Sequence, residues 1–272
     1  MDKETLKISS LQNPRIKQGV RLRERRERDR SGLFLIEGYR ELLRAIDANR
    51  KVETLFICPE LFLGTNEQTL IDRIEKSGAQ IFLCSEPVFH KLSYRDRPDG
   101  LLTIAPQQHL SLNDIKPSEG VSPLLVIAEA IEKPGNLGTI LRSSDAVGVD
   151  ALIVCDRCTD IHNPNVVRAS VGTLFTVPVI EAEGKKTIEW VKEQHISILA
   201  ATPHAEKEYT QVDMTGPIAI AVGTEQLGLS DLWMEHADIQ VRIPMFGVAD
   251  SLNVATATTL LLYEAIRQRR CI

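Results

Sequence analysis

The sequence predicts an α/β protein with two domains. The chain has 272 residues, of which 43% are apolar, enough for two ordinary domains or one large one. Short apolar runs typical of strands alternate with segments of helical periodicity, which is the pattern of α/β folds. A polar stretch, 107–122, separates two such series and is predicted to be a linker. The expected domains are therefore 1–106 and 123–272.

Composition narrows the class of protein. No apolar run approaches the roughly 18 residues that a membrane span needs, and the N-terminus has no signal-peptide core, so a soluble cytoplasmic protein without membrane contact is expected. Five cysteines are an odd number and do not predict a disulfide framework. The net charge is −5, yet residues 1–50 hold 13 basic and 8 acidic side chains. A basic end on an acidic body indicates a localised site for a polyanion.

The first domain is predicted from its alternating pattern. Its strands are expected at 33–36, 52–58, 80–84 and 101–105, and its helices at 38–48 and 67–76. The segment before them, 11–30, contains eight basic residues and only three acidic ones. It is either a solvated helix with ion pairs along its surface or a phosphate-binding segment, for which Arg23, Arg25, Arg26 and Arg28 are the candidates.

The second domain is predicted to contain a parallel sheet. Strands are expected at 124–128, 151–155, 175–180, 196–200, 217–222 and 239–243, and helices at 136–147, around 166, and at 185–194. Turns that contain glycine follow the strands 124–128 and 217–222. In open α/β sheets, ligands bind at the carboxyl ends of the strands, so these turns are candidate ligand loops.

A third candidate loop precedes the last helix. The strand 239–243 ends at Pro244, the chain turns at Gly247, and a helix is predicted from Ser251 to Arg270, with Asp250 or Ser251 as its N-cap. In its first turn, Ser251 and Asn253 lie beside free backbone N–H groups, where they either cap the helix or hold a polar ligand.

Other chemistries find little support. Cys155 and Cys158 have CxxC spacing, but one pair supplies only half of a tetrahedral metal site and no second pair exists. No metal is therefore expected, and the six histidines lie in no ligand spacing. The sequence contains neither the G-x-G-x-x-G motif of dinucleotide-binding folds nor a phosphate-binding P-loop.

Three segments in the second domain carry a resemblance to a known family. They are 129–142 (EAIEKPGNLGTILR), 221–230 (AVGTEQLGLS) and 243–255 (IPMFGVADSLNVA). In this order and spacing they are similar to the three motifs of the SpoU (TrmH-like) family of RNA ribose 2′-O-methyltransferases, within the knotted SPOUT superfamily. The segment 160–170 is similar to a further family segment that often has Lys where this chain has Asn165. The first domain resembles the L30e-like substrate-binding domain that precedes many SpoU domains.

The resemblance implies a fold and an activity. The fold is a C-terminal SPOUT trefoil-knot domain with a parallel sheet, preceded by a smaller L30e-like α/β domain, and the knot domain is expected to form a homodimer. The implied activity is 2′-O-methylation of RNA with S-adenosyl-L-methionine as the cofactor. Ribosomal RNA is the expected partner. Two alternatives are open. The substrate is transfer RNA, or the chain is a catalytically silent RNA-binding protein of ribosome assembly.

The resemblance also assigns residues by position. The polar site residues fall on Asn136, Arg142, Glu225, Ser251 and Asn253; the cofactor contacts fall on Gly223, Ile243 and Leu252; and Arg168 joins the four N-terminal arginines as an RNA contact. Arg142 is often assigned as the base in this family. Because an arginine pKa exceeds about 12, we favour a cation that holds phosphate and stabilises the developing alkoxide. An ion pair with Glu225 remains the structural alternative.

Overall fold

The computed structural model describes residues 6–117, 120–156, 159–224 and 226–270. The chain divides into two compact units. The first contains Met1–Gln108 and Asp160–Thr176, and the second contains His109–Thr159 and Val177–Ile272. Among the described helices, none combines the length and the apolar character that crossing a bilayer requires.

The chain alternates strands and helices, as its sequence pattern predicts. The strands are β1 (Leu6–Ile8), β2 (Leu33–Glu37), β3 (Thr54–Ile57), β4 (Gln80–Cys84), β5 (Leu101–Pro106), β6 (Leu124–Glu129), β7 (Ala151–Cys155), β8 (Val179–Ala182), β9 (Ser197–Ala201), β10 (Ile218–Val222) and β11 (Ile239–Val241). The helices are α1 (Pro14–Arg21), α2 (Arg25–Ser31), α3 (Tyr39–Asp47), α4 (Glu67–Lys76), α5 (Glu86–Leu92), α6 (Pro134–Val147), α7 (Pro164–Ser170), α8 (Gly184–Glu193), α9 (Asp231–His236) and α10 (Val254–Arg270).

The first unit is built on a mixed sheet with the order β1-β4-β3-β5-β2. The strands β1, β4 and β3 are parallel, whereas β5 is antiparallel to both β3 and β2. Its core contains Leu35, Phe56 and Phe82 from the sheet, together with Ile16 from α1 and Phe89 from α5. The basic segment forms two short helices, α1 and α2, and not a single long one, because Leu22 turns into the core between them.

The segment 160–176 belongs to the first unit although its sequence lies inside the predicted second domain. Helix α7 packs on β2. The ring of Phe34 contacts two rings of this segment: His162 lies edge-on at 4.7 Å between centroids, and Phe175 lies at 6.3 Å. The strand predicted at 175–180 therefore begins later, at Val179, because Thr173–Phe175 forms a 3-10 turn in this segment.

The second unit is built on a six-stranded sheet with the order β11-β9-β10-β6-β7-β8, and all its neighbours are parallel. The central strands β6, β7 and β10 are buried along their whole length, as parallel strands with both faces covered must be. Part of the predicted linker packs here too, since Ile115 is buried in the core of this unit and Leu110 bridges to Ile180.

The last helix begins later than the sequence predicts. Helix α10 starts at Val254 and not at Ser251, because Asn253 acts as its N-cap: its Oδ1 accepts from Ala255 N at 3.0 Å, and its carbonyl accepts from Ala257 N at 2.9 Å. Helix α10 packs on α6, where the hydroxyls of Ser143 and Thr259 lie 2.6 Å apart. Its 17 residues span about 25 Å.

Candidate active site and RNA-contacting residues

Two of the three candidate loops leave neighbouring strands of the second unit side by side. Strand β6 pairs with β10 in the register Val222↔Ala128, so the loops that follow Glu129 and Val222 begin next to each other. Strand β11 lies at the edge of the same parallel sheet, beyond β9. The third candidate loop follows β11 and runs from Arg242 to Asn253. All three loops therefore start at the carboxyl edge of the sheet, where α/β folds bind ligands.

Position 223 has room only for glycine, because the backbone of Gly228 and Leu229 passes directly beside its Cα. A Cβ at this position would lie 2.1 Å from Gly228 O and 2.4 Å from Leu229 N. Thr224 and Gly228 exchange two backbone hydrogen bonds of 2.9 and 3.0 Å, which closes the turn over the glycine. The close approach thus involves the protein's own chain, while Gly223 N–H and C=O take part in no hydrogen bond among the described residues.

Glu129 fastens this turn to the end of β6. Its Oε2 accepts from Ser230 N at 2.8 Å, and its Oε1 accepts from Ser230 Oγ at 2.6 Å. The carboxylate is buried, so these bonds hold the loop 223–230 against the loop after β6. Sequence reasoning gave neither residue a role, although both lie inside the motif segments. Their position at two adjacent strand ends was the available signal.

The third loop leaves its backbone open. From Ile243 to Leu252, no N–H or C=O group forms a hydrogen bond within the part of the chain that the structure describes. Phe246 and Val248 in this loop are almost fully exposed. Residues 246–251 are exposed, so their backbone groups are open to water and equally open to a ligand. A row of free donors and acceptors that includes Ile243 and Leu252 therefore fits a cofactor held through main-chain atoms, as the family resemblance implies.

Asn136 and Asn253 are brought together by α6 and α10. Asn253 Nδ2 donates to Asn136 Oδ1 at 3.1 Å, and Asn253 Oδ1 at the same time caps α10. The other amide atom of Asn136, Nδ2, is buried without a partner among the described residues. A buried donor without a partner costs about 1–3 kcal/mol, so this atom is suited to bind an acceptor on a ligand.

The remaining polar candidates are not gathered with that pair. Arg142 is exposed and forms no ion pair or hydrogen bond within the described chain. It follows Asn136 by six residues, which places the two side chains about 120° apart around α6. Ser251 is exposed and has no described partner. Glu225 lies outside the described residues. One described chain therefore assembles two of the five candidates.

The structure gives Arg28 a structural role in place of the predicted RNA contact. The side chain is 1% exposed. Its Nε donates to Asp160 Oδ2 at 2.8 Å, and Nη1 donates to the carbonyls of Leu22 and Arg23 at 2.9 and 2.7 Å. Asp160 Oδ1 accepts from His162 N at 2.8 Å. With all three nitrogens of its guanidinium hydrogen-bonded, Arg28 joins α2 to the segment 160–176 inside the first unit.

The other arginines differ in how far they are engaged. Arg25 forms an exposed ion pair with Asp29 at 3.6 Å. Arg26 and Arg168 are exposed, and neither guanidinium has a partner among the described residues. Arg23 donates to the carbonyls at the end of α5, including Lys91 O at 2.8 Å. Arg26 and Arg168 are therefore open to an RNA phosphate, whereas Arg25 is paired with Asp29 and Arg23 is partly occupied.

The CxxC pair does not form a described metal site. Cys155 is buried at the end of β7, where its Sγ donates to Thr187 Oγ1 at 3.4 Å, and Cys158 lies outside the described residues. Within the described ranges, no group of three or more His, Cys, Asp or Glu side chains is arranged to hold a metal ion.

These features define the class of protein: a parallel α/β unit with candidate ligand loops at the carboxyl edge of its sheet, in the same chain as a mixed α/β unit that carries exposed arginines. Comparison with known families places it further. The model of the SpoU rRNA Methylase family matches residues 123–263, and that of the MRM3-like substrate binding domain matches residues 13–103. The chain belongs to the SpoU rRNA Methylase family.

Relatives match along nearly the whole chain. A 23S rRNA (uridine(2479)-2′-O)-methyltransferase of Streptomyces viridochromogenes is 31% identical, over 91% of this chain and 87% of its own. A crystal structure of an RNA 2′-O ribose methyltransferase is 41% identical, with a TM-score of 0.85, over 97% of this chain and 100% of its own. An AdoMet-bound rRNA methyltransferase from Sinorhizobium meliloti is 30% identical, with a TM-score of 0.88, over 97% and 98%.

Proposed function

We propose that the protein transfers a methyl group from S-adenosyl-L-methionine to a ribose 2′-hydroxyl of ribosomal RNA. The observation that carries this proposal is the unbonded backbone from Ile243 to Leu252, at the sheet edge that also bears the Asn136–Asn253 pair. The names of relatives that match both units support ribosomal RNA over transfer RNA as the substrate. With ribosomal RNA as its substrate, the protein works in the cytoplasm.

The cofactor, when bound, supplies an electrophilic methyl group on a sulfonium centre. The open main-chain groups of Gly223, Ile243 and Leu252 are suited to hold its polar edges through hydrogen bonds. The Glu129–Ser230 bonds fix the turn on which Gly223 lies. A turn that is already fixed in this way loses little entropy when the cofactor binds.

Arg142 and the Asn136–Asn253 pair have different roles in this proposal. Arg142, as a permanent cation without a described partner, would bind the phosphate beside the target ribose and stabilise the negative charge that develops on its 2′-oxygen. The free Nδ2 of Asn136 would donate to an oxygen of the substrate or the cofactor. Ser251, at the entrance to α10, and Glu225 complete the polar set that the family resemblance assigns.

A homodimer through the second unit follows from the incomplete site and from one face of α10. The exposed residues of this helix recur every three or four positions, at Thr256, Leu260, Tyr263, Arg267 and Arg270, and so form one stripe. Leu260 is 38% exposed and Tyr263 is 53% exposed at its centre. Most other apolar residues of α10, including Leu261, Leu262 and Ala265, are buried inside the unit. We further infer the trefoil knot from the family resemblance.

The dimer is tested by light scattering at micromolar concentration. The wild type is expected at twice the mass of the 30.3 kDa chain. Tyr263→Glu is expected to shift the mass towards the monomer, because it places charge at the apolar centre of the stripe. Thr256→Glu, at the polar end of the same stripe, is the matched control. A wild type of monomeric mass would contradict the dimer.

The activity is tested with cofactor carrying a labelled methyl group. Ribosomal RNA and transfer RNA from cells that lack the gene are the two substrates, and label is expected in a ribose of the ribosomal RNA alone. Arg142→Ala is expected to keep cofactor binding by calorimetry and to lose methyl transfer, since an exposed helix position tolerates Ala. No heat on titrating the wild type with S-adenosylmethionine would reject the proposal.

A further inference from the structure

Tyr94 is an exposed aromatic side chain in a basic part of the first unit. It lies just after α5 and is 36% exposed. Lys91 and Arg97, three positions before and after it, are exposed as well. Asp96 is the exposed acid in this turn. Exposed aromatic rings among cations are typical of surfaces that bind single-stranded nucleic acid.

Three contacts hold Tyr94 in place. Its backbone N–H donates to Glu37 Oε2 at 2.8 Å, and its hydroxyl accepts from Asn165 Nδ2 at 2.8 Å. The guanidinium of Arg23 lies 6.0 Å from the ring centroid and is itself anchored to carbonyls at the end of α5. An exposed side chain that is already ordered loses little further entropy when it binds a ligand.

Arg168 borders the same crevice as Tyr94. The crevice is lined by Leu35, Glu37, Tyr94, Arg95, Pro164, Val167 and Arg168, with a cavity volume of about 10 Å³. Such a volume holds about one water molecule, so a larger ligand would lie over the crevice and not inside it. The Glu37 carboxylate faces inward, where it accepts from Tyr94 N and Ser93 Oγ. Arg95 is 18% exposed and paired with Glu41 at 2.6 Å, so the unpaired outward charge is that of Arg168.

The position of Arg168 is set by the inserted segment. Asn165 and Arg168 are three residues apart on α7, so they share one face of the helix. The buried Arg28–Asp160 pair and the His162–Phe34 contact hold the start of this segment on the first unit. Two stretches of sequence that are about 70 residues apart thus present a fixed ring, an amide and a free guanidinium on one surface.

We propose that Tyr94, Asn165 and Arg168 form a binding site for one unpaired nucleotide of the substrate RNA. The base stacks on the exposed part of the Tyr94 ring, and the adjoining phosphate binds the Arg168 guanidinium, whose fork of donors fits phosphate oxygens. This inference rests on the proposed function and adds that the first unit recognises a single-stranded nucleotide. The contacts use the π-face and the phosphate, so they discriminate little among bases.

The test separates stacking from a purely structural role of Tyr94. The probe is a fluorescein-labelled single-stranded 12-nucleotide oligouridylate, with a blunt RNA duplex of equal length as the comparison. Tyr94→Ala is expected to weaken binding of the single strand by about 5- to 150-fold and to change duplex binding little. Tyr94→Phe keeps the ring and loses the hydroxyl, so its affinity is expected within about twofold of the wild type. If Phe weakens binding as much as Ala does, Tyr94 only fastens Asn165 and the inference is wrong.

Two further variants cover the case in which Tyr94→Ala is unstable. Tyr94→Trp is expected to bind at least as tightly and to add tryptophan fluorescence that the oligonucleotide quenches; absence of added quenching would overturn the proposal. Arg168→Ala should lower the slope of log K against log salt by about 0.7. Its matched control is Arg73→Ala, whose guanidinium is already paired with Asp47 at 2.6 Å, and which should leave the slope unchanged.

The outcome is distinguishable from that of the proposed function. Cofactor binding and methyl transfer are measured on the same variants. If the wild type binds no S-adenosylmethionine, the proposed enzyme is rejected, whatever the oligonucleotide shows. If methyl transfer is normal and both Tyr94→Ala and Arg168→Ala bind the single strand like the wild type, the nucleotide site alone is rejected.

Discussion

In the first unit, the guanidinium of Arg28 is buried and donates four hydrogen bonds to its own chain. In the second unit, ten consecutive residues from Ile243 to Leu252 use none of their backbone groups in this way. The first arrangement uses its polar groups to hold the fold together, and the second leaves its polar groups open, where the proposed cofactor would bind. Residue type therefore says less about function than whether a polar group already has a partner.

The largest predicted effect concerns the buried ion pair of Arg28 and Asp160. Arg28→Met leaves Asp160 buried without its partner and should cost about 3–5 kcal/mol in the free energy of unfolding. Chemical denaturation followed by circular dichroism measures it. Arg25→Ala removes an exposed arginine from the same helix and should cost about 0–1 kcal/mol. Equal effects of the two substitutions would contradict the structural role of Arg28.

The double variant Arg28→Met with Asp160→Leu sharpens this prediction. Replacing both members of a buried ion pair by apolar residues is often neutral. Part of the loss should persist, because Asp160 also accepts from His162 N. A double variant less stable than Arg28→Met would show that the unpaired charge is not the cause.

A substitution at Gly223 tests the candidate cofactor loops of the second unit. Gly223→Ala should distort the turn over Gly228 and remove cofactor binding, because the new Cβ would lie 2.1 Å from a carbonyl oxygen. In the wild type, cofactor at 100 times its Kd should stabilise the fold by about 2.7 kcal/mol, seen as a rise in Tm. The matched control is Gly216→Ala, outside the three candidate loops, where a Cβ meets nothing within 4 Å. It should keep the rise.

Asn253 serves folding and the site at once, and one substitution separates the two roles. Asn253→Asp keeps an oxygen that caps α10 but loses the amide donor to Asn136. Stability should change by less than about 0.5 kcal/mol, while methyl transfer falls. Asn253→Ala, as the comparison, loses the cap too and should cost about 1 kcal/mol. Normal methyl transfer by Asn253→Asp would remove the pair from the mechanism.

The smallest effect concerns two buried acids of the first unit. Burial raises the pKa of both Glu37 and Glu41 above the usual 4.5, against the opposing charge of Arg95. Each therefore contributes stability that is full below about pH 4.5 and is lost as pH rises through its raised pKa. Glu41→Gln removes one such titration. The Tm of this variant relative to the wild type should increase as pH rises from 4.5 to 8; a difference independent of pH would contradict the raised pKa.

Local pattern was enough to predict most of the fold. Apolar runs such as Leu124–Glu129 and Ile218–Val222 are buried strands of the parallel sheet, as their composition indicates. The sequence could not settle the start of α10, because Ser251 and Asn253 are equally good caps and packing on α6 chooses between them. Helices α5 and α9 were missed because they have only 7 and 6 residues.

Part of the site was also readable from the sequence. The three motif segments lie at one sheet edge, and Asn136 meets Asn253 across 117 residues. Charge alone could not show that Arg28 is buried, since Asp160 lies 132 residues further along the chain. Nor could the local sequence show that the carbonyl of Gly228 lies where a Cβ of residue 223 would be. Local sequence patterns do not show contacts between distant residues, such as an ion pair, or the close approach of two backbone segments.

The path of the chain has a consequence for how this protein can be taken apart. The polypeptide passes from one unit to the other at three places, after Gln108, Thr159 and Thr176. A gene fragment that ends at residue 108 would lack α7, which covers β2, and a fragment that starts there would carry α7 without its support. Neither half is an independent module. Exchange of the whole first unit between relatives by recombination would thus need two separate stretches of coding sequence to move together.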